Sequence, residues 1–127
     1  MSTLVGIVFF VFGVTVGSFL NVVILRHKTG RAPRGRSMCL SCARTLGWRD
    51  LVPILSFLYL RGRCRYCKSH ISIQYPLVEF ITGVLVLSVH LHFQDLLFSL
   101  PYILHTAYYI LVVSILMVIV VYDLRHK

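Results

Sequence analysis

Acidic side chains are scarce in this sequence, and so are the polar stretches that a soluble domain needs. Four Asp and Glu residues stand against thirteen Lys and Arg residues, which gives a formal net charge of +9. Hydrophobic residues make up 57% of the chain, above the share of about 45–50% in soluble domains, and the mean hydropathy is +0.82. This composition excludes an ordinary soluble domain and indicates a protein that lies in lipid.

The positive charge forms one block. Eleven of the thirteen Lys and Arg residues fall between Arg26 and Lys68. Such a block can bind nucleic acid, but between hydrophobic segments it more often keeps a loop in the cytoplasm. We therefore interpret the block as a topology signal and expect no nucleic-acid partner.

A first membrane span is predicted at residues 4–25. These 22 positions carry no charge, and at 1.5 Å per residue they cover a hydrocarbon core about 30 Å thick. A cleaved signal peptide needs positive charge ahead of the apolar run and an A-x-A site after it, and both are missing. Arg26 and Lys28 follow the span instead, which predicts a retained helix with Met1 outside.

Two further hydrophobic segments, at residues 76–93 and 96–123, follow the basic loop. With the amino terminus outside, the loop and the closing Arg125 and Lys127 all fall on the cytoplasmic side. The sequence thus predicts an all-α integral membrane protein with three transmembrane helices, at 1–25, 76–93 and 96–123. A small cytoplasmic domain at 26–75 joins the first helix to the second, and we find no internal repeat.

Four cysteines in two C-x2-C pairs are the chemical feature of the loop: Cys39 with Cys42, and Cys64 with Cys67. Two such turns can direct four thiolates at one tetrahedral zinc ion, which leaves no open position for catalysis. Disulfides and unligated thiols are the alternatives, but disulfides need an oxidising compartment and the topology puts the loop in the cytoplasm. We therefore predict a structural zinc site in a zinc-ribbon-like loop, with neighbouring arginines offsetting the charge of the thiolates.

Two smaller features lie close to this site. Gly13 and Gly17 form a G-x-x-x-G pair, a weak signal for close packing of another helix. The apolar run at 51–60, LVPILSFLYL, is too short to span a bilayer. It either lies on the membrane surface or packs under the cysteines, and we favour packing.

Six segments in this order resemble the amino-terminal half of the type IV prepilin leader peptidase/N-methyltransferase family. They are GSFLN at 17–21, the first cysteine pair, DLVPILS at 50–56, RGRCRYC at 61–67, ISIQYPLVE at 71–79 and YDLRH at 122–126. The resemblance covers nearly the whole chain. It implies a polytopic aspartic peptidase of the bacterial inner membrane that removes the basic leader of type IV prepilin-like precursors, in pilus or type II secretion systems. It also implies methylation of the new amino terminus with S-adenosylmethionine.

By this resemblance Asp123 is the first of two catalytic aspartates. The second, in a G-x-G-D motif on a later helix, has no counterpart in the sequence, which stops four residues after Asp123. We therefore expect this chain to lack the catalytic half, to be inactive alone, and to need a separate carboxyl-terminal half. Whether it is an enzyme stays open, as does any place for S-adenosylmethionine, because no glycine-rich nucleotide signature is present.

Other interpretations remain for the same residues. Asp123 can be an interfacial charge at a helix end. Glu79, in the second span, needs a partner such as a loop arginine or Asp123, and a dyad of the two would restore a pair of carboxylates. Asp50 is expected to form a structural salt bridge or cap. The histidines of the outer side are expected to be interfacial rather than metal ligands: His90, His92 and His105.

The whole chain has alternatives too. It can be a non-enzymatic, membrane-anchored zinc module that holds a partner in pilus or secretion-system assembly. A third interpretation of the same cysteines and charges is a nucleic-acid-binding ribbon tethered to the membrane, and the topology argues against it.

Overall fold

A computed structural model describes residues 2–29, 35–93 and 99–126 of the protein. Four α-helices occur in these ranges: α1 (Ser2–Thr29), α2 (Leu55–Tyr59), α3 (Gln74–Phe93) and α4 (Leu100–His126). A 3-10 turn, Trp48–Asp50, precedes α2. The described residues form no β-strand beyond two isolated bridges.

The predicted fold class is confirmed. Three helices, α1, α3 and α4, are long and apolar enough to cross a membrane, and the four cysteines lie between the first and second of them. Helix α1 continues past residue 25, and α3 begins two residues before the predicted start at 76. The predicted start of the third span at 96 lies outside the described residues. The division of the chain into domains stays a prediction.

The starts of α3 and α4 follow from their sequences. Proline needs no hydrogen-bond partner for its nitrogen in the first turn of a helix, and Pro76 and Pro101 occupy the third and second positions of their helices. The hydroxyl of Ser72 accepts a hydrogen bond from the Gln74 N–H at 3.3 Å. Ser99 caps α4 by accepting one from the Tyr102 N–H at 3.3 Å.

Glycines bring α1 and α3 into close contact. A Cβ atom on Gly13 would lie 2.8 Å from the Cβ of Val86 and 2.9 Å from the Cα of Gly83, and one on Gly17 would lie 2.9 Å from the Cα of Glu79. Real Cβ atoms do not approach other heavy atoms so closely, so only glycine fits at these positions. The G-x-x-x-G pair therefore lies in a helix interface of the kind it predicts.

The helices meet at both ends of the bundle. At the end that carries the cysteine loop, an apolar cluster joins α1, α3 and α4, and its buried members are Leu20, Ile24, Val78, Met117 and Val121. At the opposite end His90 is 1% exposed. Its ring stacks on Phe9 with centroids 4.4 Å apart, and its Nδ1 lies 2.8 Å from the Tyr102 hydroxyl.

The expectation of an interfacial His90 is therefore wrong. A histidine near a helix end reaches the interface only if its face of the helix is free, and this face of α3 packs against α1 and α4. His92 and His105 are exposed. The Nδ1 of His105 lies 2.7 Å from the carbonyl oxygen of Pro101 in the preceding turn of α4.

Replacing Gly13 or Gly17 with alanine tests the α1–α3 interface. Each variant is expected to lose about 1–3 kcal/mol in the free energy of unfolding, because the added methyl group forces the helix backbones apart. Circular dichroism during titration of a mild-detergent sample with sodium dodecyl sulfate measures this loss.

Gly6→Ala is the matched control. A Cβ there would meet Leu87 at 3.4 Å, an ordinary contact distance, so the same change should cost nothing. Equal midpoints for Gly6→Ala and Gly13→Ala would contradict the close interface.

Candidate metal centre and its seat on the helices

The first cysteine pair forms a tight turn closed by backbone hydrogen bonds. The Cys39 N–H donates to the carbonyl of Arg44 at 3.0 Å, and the Ala43 N–H donates to the carbonyl of Cys39 at 2.9 Å. Ala43 has a φ of 56°, in the left-handed region. This conformation turns the chain back after the second cysteine, so that both side chains point to the same side.

The second pair repeats the first turn 25 positions later. The Cys64 N–H donates to the carbonyl of Ser69 at 2.9 Å, the Lys68 N–H donates to that of Cys64 at 3.1 Å, and Lys68 has a φ of 60°. An isolated antiparallel bridge flanks each turn, Met38 with Thr45 and Arg63 with His70. The expectation of no internal repeat is therefore wrong for these two turns, and the equal C-x2-C spacing is the signal of the repeat in the sequence.

The four sulfur atoms lie close to the spacing that one zinc ion requires. All four Sγ atoms lie within 4.8 Å of one another, and those of Cys39 and Cys67 are 3.7 Å apart. A tetrahedron with Zn–S bonds of about 2.3 Å places its sulfurs about 3.8 Å apart. The cysteines are free thiols in this structure, so four soft donors face one point. This set fits zinc, and the cluster could hold it.

The surroundings of the cluster favour the thiolate form of Cys39 and Cys67, while loss of solvent and the neighbouring thiols raise the pKa of Cys42 to about 11. Hydrogen bonding from the Cys42 backbone, supported by Ser41 and the Ser69 hydroxyl, lowers the pKa of Cys39 from 9.0 to about 6 despite some burial. The Ser69 hydroxyl lies 3.1 Å from the Cys67 sulfur, and hydrogen bonds from Ser69 lower that pKa as well. A thiolate is the form that binds metal, so Ser69 supports ligands from both pairs.

Asp50 braces the loop beside the cluster. Its Oδ1 accepts a hydrogen bond from the Arg65 Nε at 2.7 Å, in a salt bridge whose carboxylate side chain is 5% exposed. Its Oδ2 accepts one from the Gly47 N–H at 3.1 Å, which closes the 3-10 turn. Both expected roles of Asp50 are therefore present. Because Arg65 lies between Cys64 and Cys67, the salt bridge ties the 3-10 turn to the second cysteine turn.

Glu79 joins the cysteine loop to the helices. Its Oε2 accepts a hydrogen bond from the Ile54 N–H at 2.7 Å, and the Ser18 hydroxyl also bonds its carboxyl group. The expected partners were a loop arginine or Asp123. The carboxylate instead satisfies a backbone N–H, because the chain passes directly over the start of α3 at this point.

A cavity of about 580 Å³ lies between the cysteine loop and the ends of α1 and α3. Its wall combines polar groups of the helices with the underside of the loop, and includes Ser18, Asn21, Glu79, Phe57, Cys64 and Arg65. The Nδ2 of Asn21 donates to the carbonyl of Tyr75 at 3.1 Å. Its Oδ1 is buried without a hydrogen-bond partner among the described residues, so a ligand in the cavity could supply one.

Part of the apolar run at 51–60 packs under the cysteines, as expected, and part of it is exposed. Phe57 and Leu60 line the cavity under the cysteines, whereas Leu55, Leu58 and Tyr59 are exposed. Packing alone therefore does not describe the run.

Asp123 lies in the last turn of α4 with its side chain exposed. It is two residues beyond Val121, which belongs to the apolar cluster at the loop end of the bundle. The described wall of the cavity does not include Asp123. Glu79 and Asp123 thus lie at the same end of the helices, while the known hydrogen bonds of Glu79 go to other groups.

Comparison with known families gives one match. The family model of the Bacterial Peptidase A24 N-terminal domain matches residues 11–93. The match therefore includes most of α1, the whole cysteine loop and α3.

Curated relatives agree with this match. The chain is 52% identical over 77 residues to the prepilin leader peptidase/N-methyltransferase of Myxococcus xanthus, covering 60% of this chain and 23% of the relative. It is 41% identical over 91 residues to the type 4 prepilin-like proteins leader peptide-processing enzyme of Escherichia coli O78:H11, covering 57% and 34%. It is 34% identical over 121 residues to the prepilin leader peptidase/N-methyltransferase of Bacillus subtilis, covering 93% and 45%.

The chain thus spans less than half the length of each of these relatives. No solved structure matches it.

Cys64→Ser tests the metal site, because Cys64 is the most buried of the four cysteines. We expect about one zinc ion per purified wild-type chain and a sharp loss in the variant, since three thiolates and a hydroxyl bind zinc far more weakly than four thiolates. Metal analysis of the detergent-purified chain, before and after a chelator, measures the content.

Ser41→Ala is the control for this experiment. Ser41 lies between the cysteines of the first turn, and alanine keeps the backbone N–H that supports Cys39, so zinc content should not change. Full zinc content in Cys64→Ser would refute the four-thiolate site.

Proposed function

This chain belongs to the family of the bacterial peptidase A24 N-terminal domain, and on that basis we propose that it is the amino-terminal part of a prepilin leader peptidase/N-methyltransferase. The observation that carries the proposal is the match over residues 11–93, which includes both cysteine turns and the helices that hold them. Its relatives carry the names of leader peptidases and methyltransferases. A type IV prepilin-like precursor is the substrate that we propose for the complete enzyme.

Asp123 is our candidate for one of two catalytic aspartates. In an aspartic peptidase, one carboxylate accepts a proton from the attacking water while the other carboxyl group donates one, and their proximity separates their proton affinities. The position of Asp123 at the exposed end of α4, beside the apolar cluster of the loop end, supports this role. A second aspartate, in a G-x-G-D segment, must complete the pair. We propose that the chain does not cleave a leader without that segment, whether a continuation or a separate polypeptide supplies it.

Zinc has a structural role in this proposal. Four thiolates would fill its coordination sphere, so it would supply a cross-link between the two cysteine turns rather than a site for water or substrate. In the described part of the loop, few side chains other than Cys64 are buried, so the metal would provide much of its folding energy. The charge pattern supports a cytoplasmic loop in the bacterial inner membrane.

The cavity beside Asn21 is our candidate site for S-adenosylmethionine. Its volume of about 580 Å³ is in the range of sites for small cofactors. Arg26 in its wall can attract the carboxylate of the cofactor, and Glu79 its positive groups. The unpaired Oδ1 of Asn21 offers one hydrogen-bond acceptor.

Asp123→Asn tests the peptidase proposal. The chain is co-expressed with a prepilin and with a carboxyl-terminal half that carries the G-x-G-D segment, and leader removal is followed by the shift in pilin mass. Wild type is expected to cleave and Asp123→Asn to be inactive, because an amide cannot exchange the proton. Leu124→Ala, at the exposed neighbouring position, should cleave normally.

The same assay separates the alternatives. Cleavage by Asp123→Asn would sink the catalytic role. Cleavage by this chain alone, lost in Glu79→Gln, would indicate the Glu79–Asp123 dyad instead. No cleavage in any combination would favour the non-enzymatic zinc module.

A bulky residue in the cavity tests the cofactor proposal. Val22 lines the cavity, whereas Val23, about a quarter-turn further round α1, is 42% exposed and does not line it. Val22→Phe is expected to weaken binding of labelled S-adenosylmethionine about tenfold or more by filling the space, and Val23→Phe should bind as wild type. Equilibrium dialysis of the zinc-loaded chain in detergent measures both. Equal binding by the two variants would contradict this site.

A further inference from the structure

Four large side chains form an exposed apolar face on the loop. Trp48 is 73% exposed, Leu55 and Leu58 are each 64% exposed, and Tyr59 is 79% exposed. We call these four side chains the loop face. Trp48, Leu55 and Tyr59 border one shallow depression with Arg49 and Arg65. A contiguous apolar surface of this kind marks a contact with lipid or with another molecule.

The loop face lies at the level of the helix ends rather than beyond them. The Ile54 N–H, just before α2, contacts the carboxylate of Glu79 at 2.7 Å. Glu79 is five residues after the first residue of α3, about 7.5 Å along the helix axis. Since α3 is apolar enough to span a membrane from Gln74, α2 begins beside the span and within its length.

A turn with a strained backbone conformation brings the chain to the depth of Glu79. Ile54 has a φ of 59° and a ψ of −52°, which a β-branched residue rarely adopts. The Leu55 N–H donates to the carbonyl of Pro53 across the turn at 2.5 Å, the pattern of a γ-turn with positive φ. The carboxylate of Glu79 accepts a hydrogen bond from the Ile54 N–H, so a buried carboxylate of α3 holds the strained turn in place.

The charges around the loop face favour an anionic surface. Arg49 lies over the Trp48 ring at 5.2 Å, and Arg61 and Arg63, just after α2, are exposed. Asp50 is the one acidic residue among residues 35–75, and Arg65 already pairs with it. Near a membrane such cations are attracted to anionic lipids. Tryptophan and tyrosine are the side chains that favour the headgroup layer.

From depth, composition and charge together, we propose that the loop face is inserted into the anionic headgroup layer of the membrane that the three helices cross. The occupant of the face is lipid, and the loop is seated on the bilayer through Trp48, Leu55, Leu58 and Tyr59. This arrangement fixes the cysteine turns above α1 and α3 at a constant height. It does not depend on the peptidase proposal, only on the helices crossing a membrane.

The chain carries its own probe, because Trp48 is its one tryptophan. The full chain is reconstituted into nanodiscs of three parts phosphatidylcholine to one part phosphatidylglycerol. Tryptophan fluorescence is quenched in turn by a nitroxide near the lipid headgroup, a nitroxide at the end of the acyl chain, and aqueous iodide. The headgroup nitroxide is expected to quench Trp48 most strongly, and iodide several-fold less than it quenches tryptophanamide in the same nanodiscs.

Two matched pairs of variants test whether apolar insertion and attraction to anionic lipid hold the loop face on the membrane. Leu58→Asp should increase iodide quenching of Trp48, whereas Leu40→Asp, at a leucine of the first cysteine turn that is 53% exposed, should not. Arg49→Gln should reduce the difference in headgroup quenching between mixed and pure phosphatidylcholine nanodiscs. Arg44→Gln, which removes a similar cation over Tyr66 at 5.1 Å, should leave it unchanged. Zinc content and helicity are measured for each variant, so that a misfolded loop is recognised.

Two results would overturn the proposal. Quenching by iodide equal to that of tryptophanamide, with no lipid quenching, would mean that the loop face is in water and free for a protein partner. Equal headgroup quenching in mixed and pure phosphatidylcholine nanodiscs would mean that anionic lipid is not what the arginines bind.

Discussion

The close approach of α1 to α3 is the constraint on which the loop end of the molecule depends. A Cβ on Gly17 would strike the Cα of Glu79, so the glycine fixes where the Glu79 backbone lies and where its carboxylate begins. From there the carboxylate reaches the Ile54 N–H and sets the height of the loop. The floor of the cavity and the position of the cysteine turns follow from this contact. The absence of a side chain at Gly17 therefore sets where Glu79, and with it the start of α2, can lie.

The loop itself is built around thiols rather than an apolar core. Its two turns are nearly identical in backbone hydrogen bonds, and each needs a left-handed residue, Ala43 or Lys68, after its second cysteine. Such a conformation costs about 1–2 kcal/mol for a residue with a side chain. A metal bound to all four sulfurs would offset this cost and would join turns that are far apart in sequence. Asp50 adds a second link within the loop, because its salt bridge to Arg65 joins the 3-10 turn to the second cysteine turn.

Sequence reasoning succeeded where one residue or a short spacing carries the information. An uncharged run longer than the hydrocarbon core predicts a span, C-x2-C predicts two thiols on one side of a turn, and a lone acid among arginines predicts a salt bridge. It failed where the position or partner of a side chain depends on which helices and loop segments pack against each other. His90 is buried because α1 and α4 close over one face of α3, and Glu79 binds a backbone N–H because the loop descends at Ile54. No local sequence pattern indicates either of these contacts.

The two ends of the bundle differ in what surrounds their polar groups. At the far end the Nδ1 of His90 lies 2.8 Å from the Tyr102 hydroxyl and the ring of Phe9 stacks on His90, while the Nε2 of His90 is buried without a partner among the described residues. At the loop end the Oδ1 of Asn21 is likewise buried without a partner, but Asn21 lies in the wall of an open cavity. A ligand in that cavity could therefore supply the hydrogen bond that Asn21 lacks. Val121 holds α4 against this same end, which brings Asp123 to the side of the molecule where the cavity and the thiols lie. Asp123, the cavity and the four thiols therefore lie at one end of the bundle, which is held together by the apolar packing of α4 and by the hydrogen bond between the loop and Glu79.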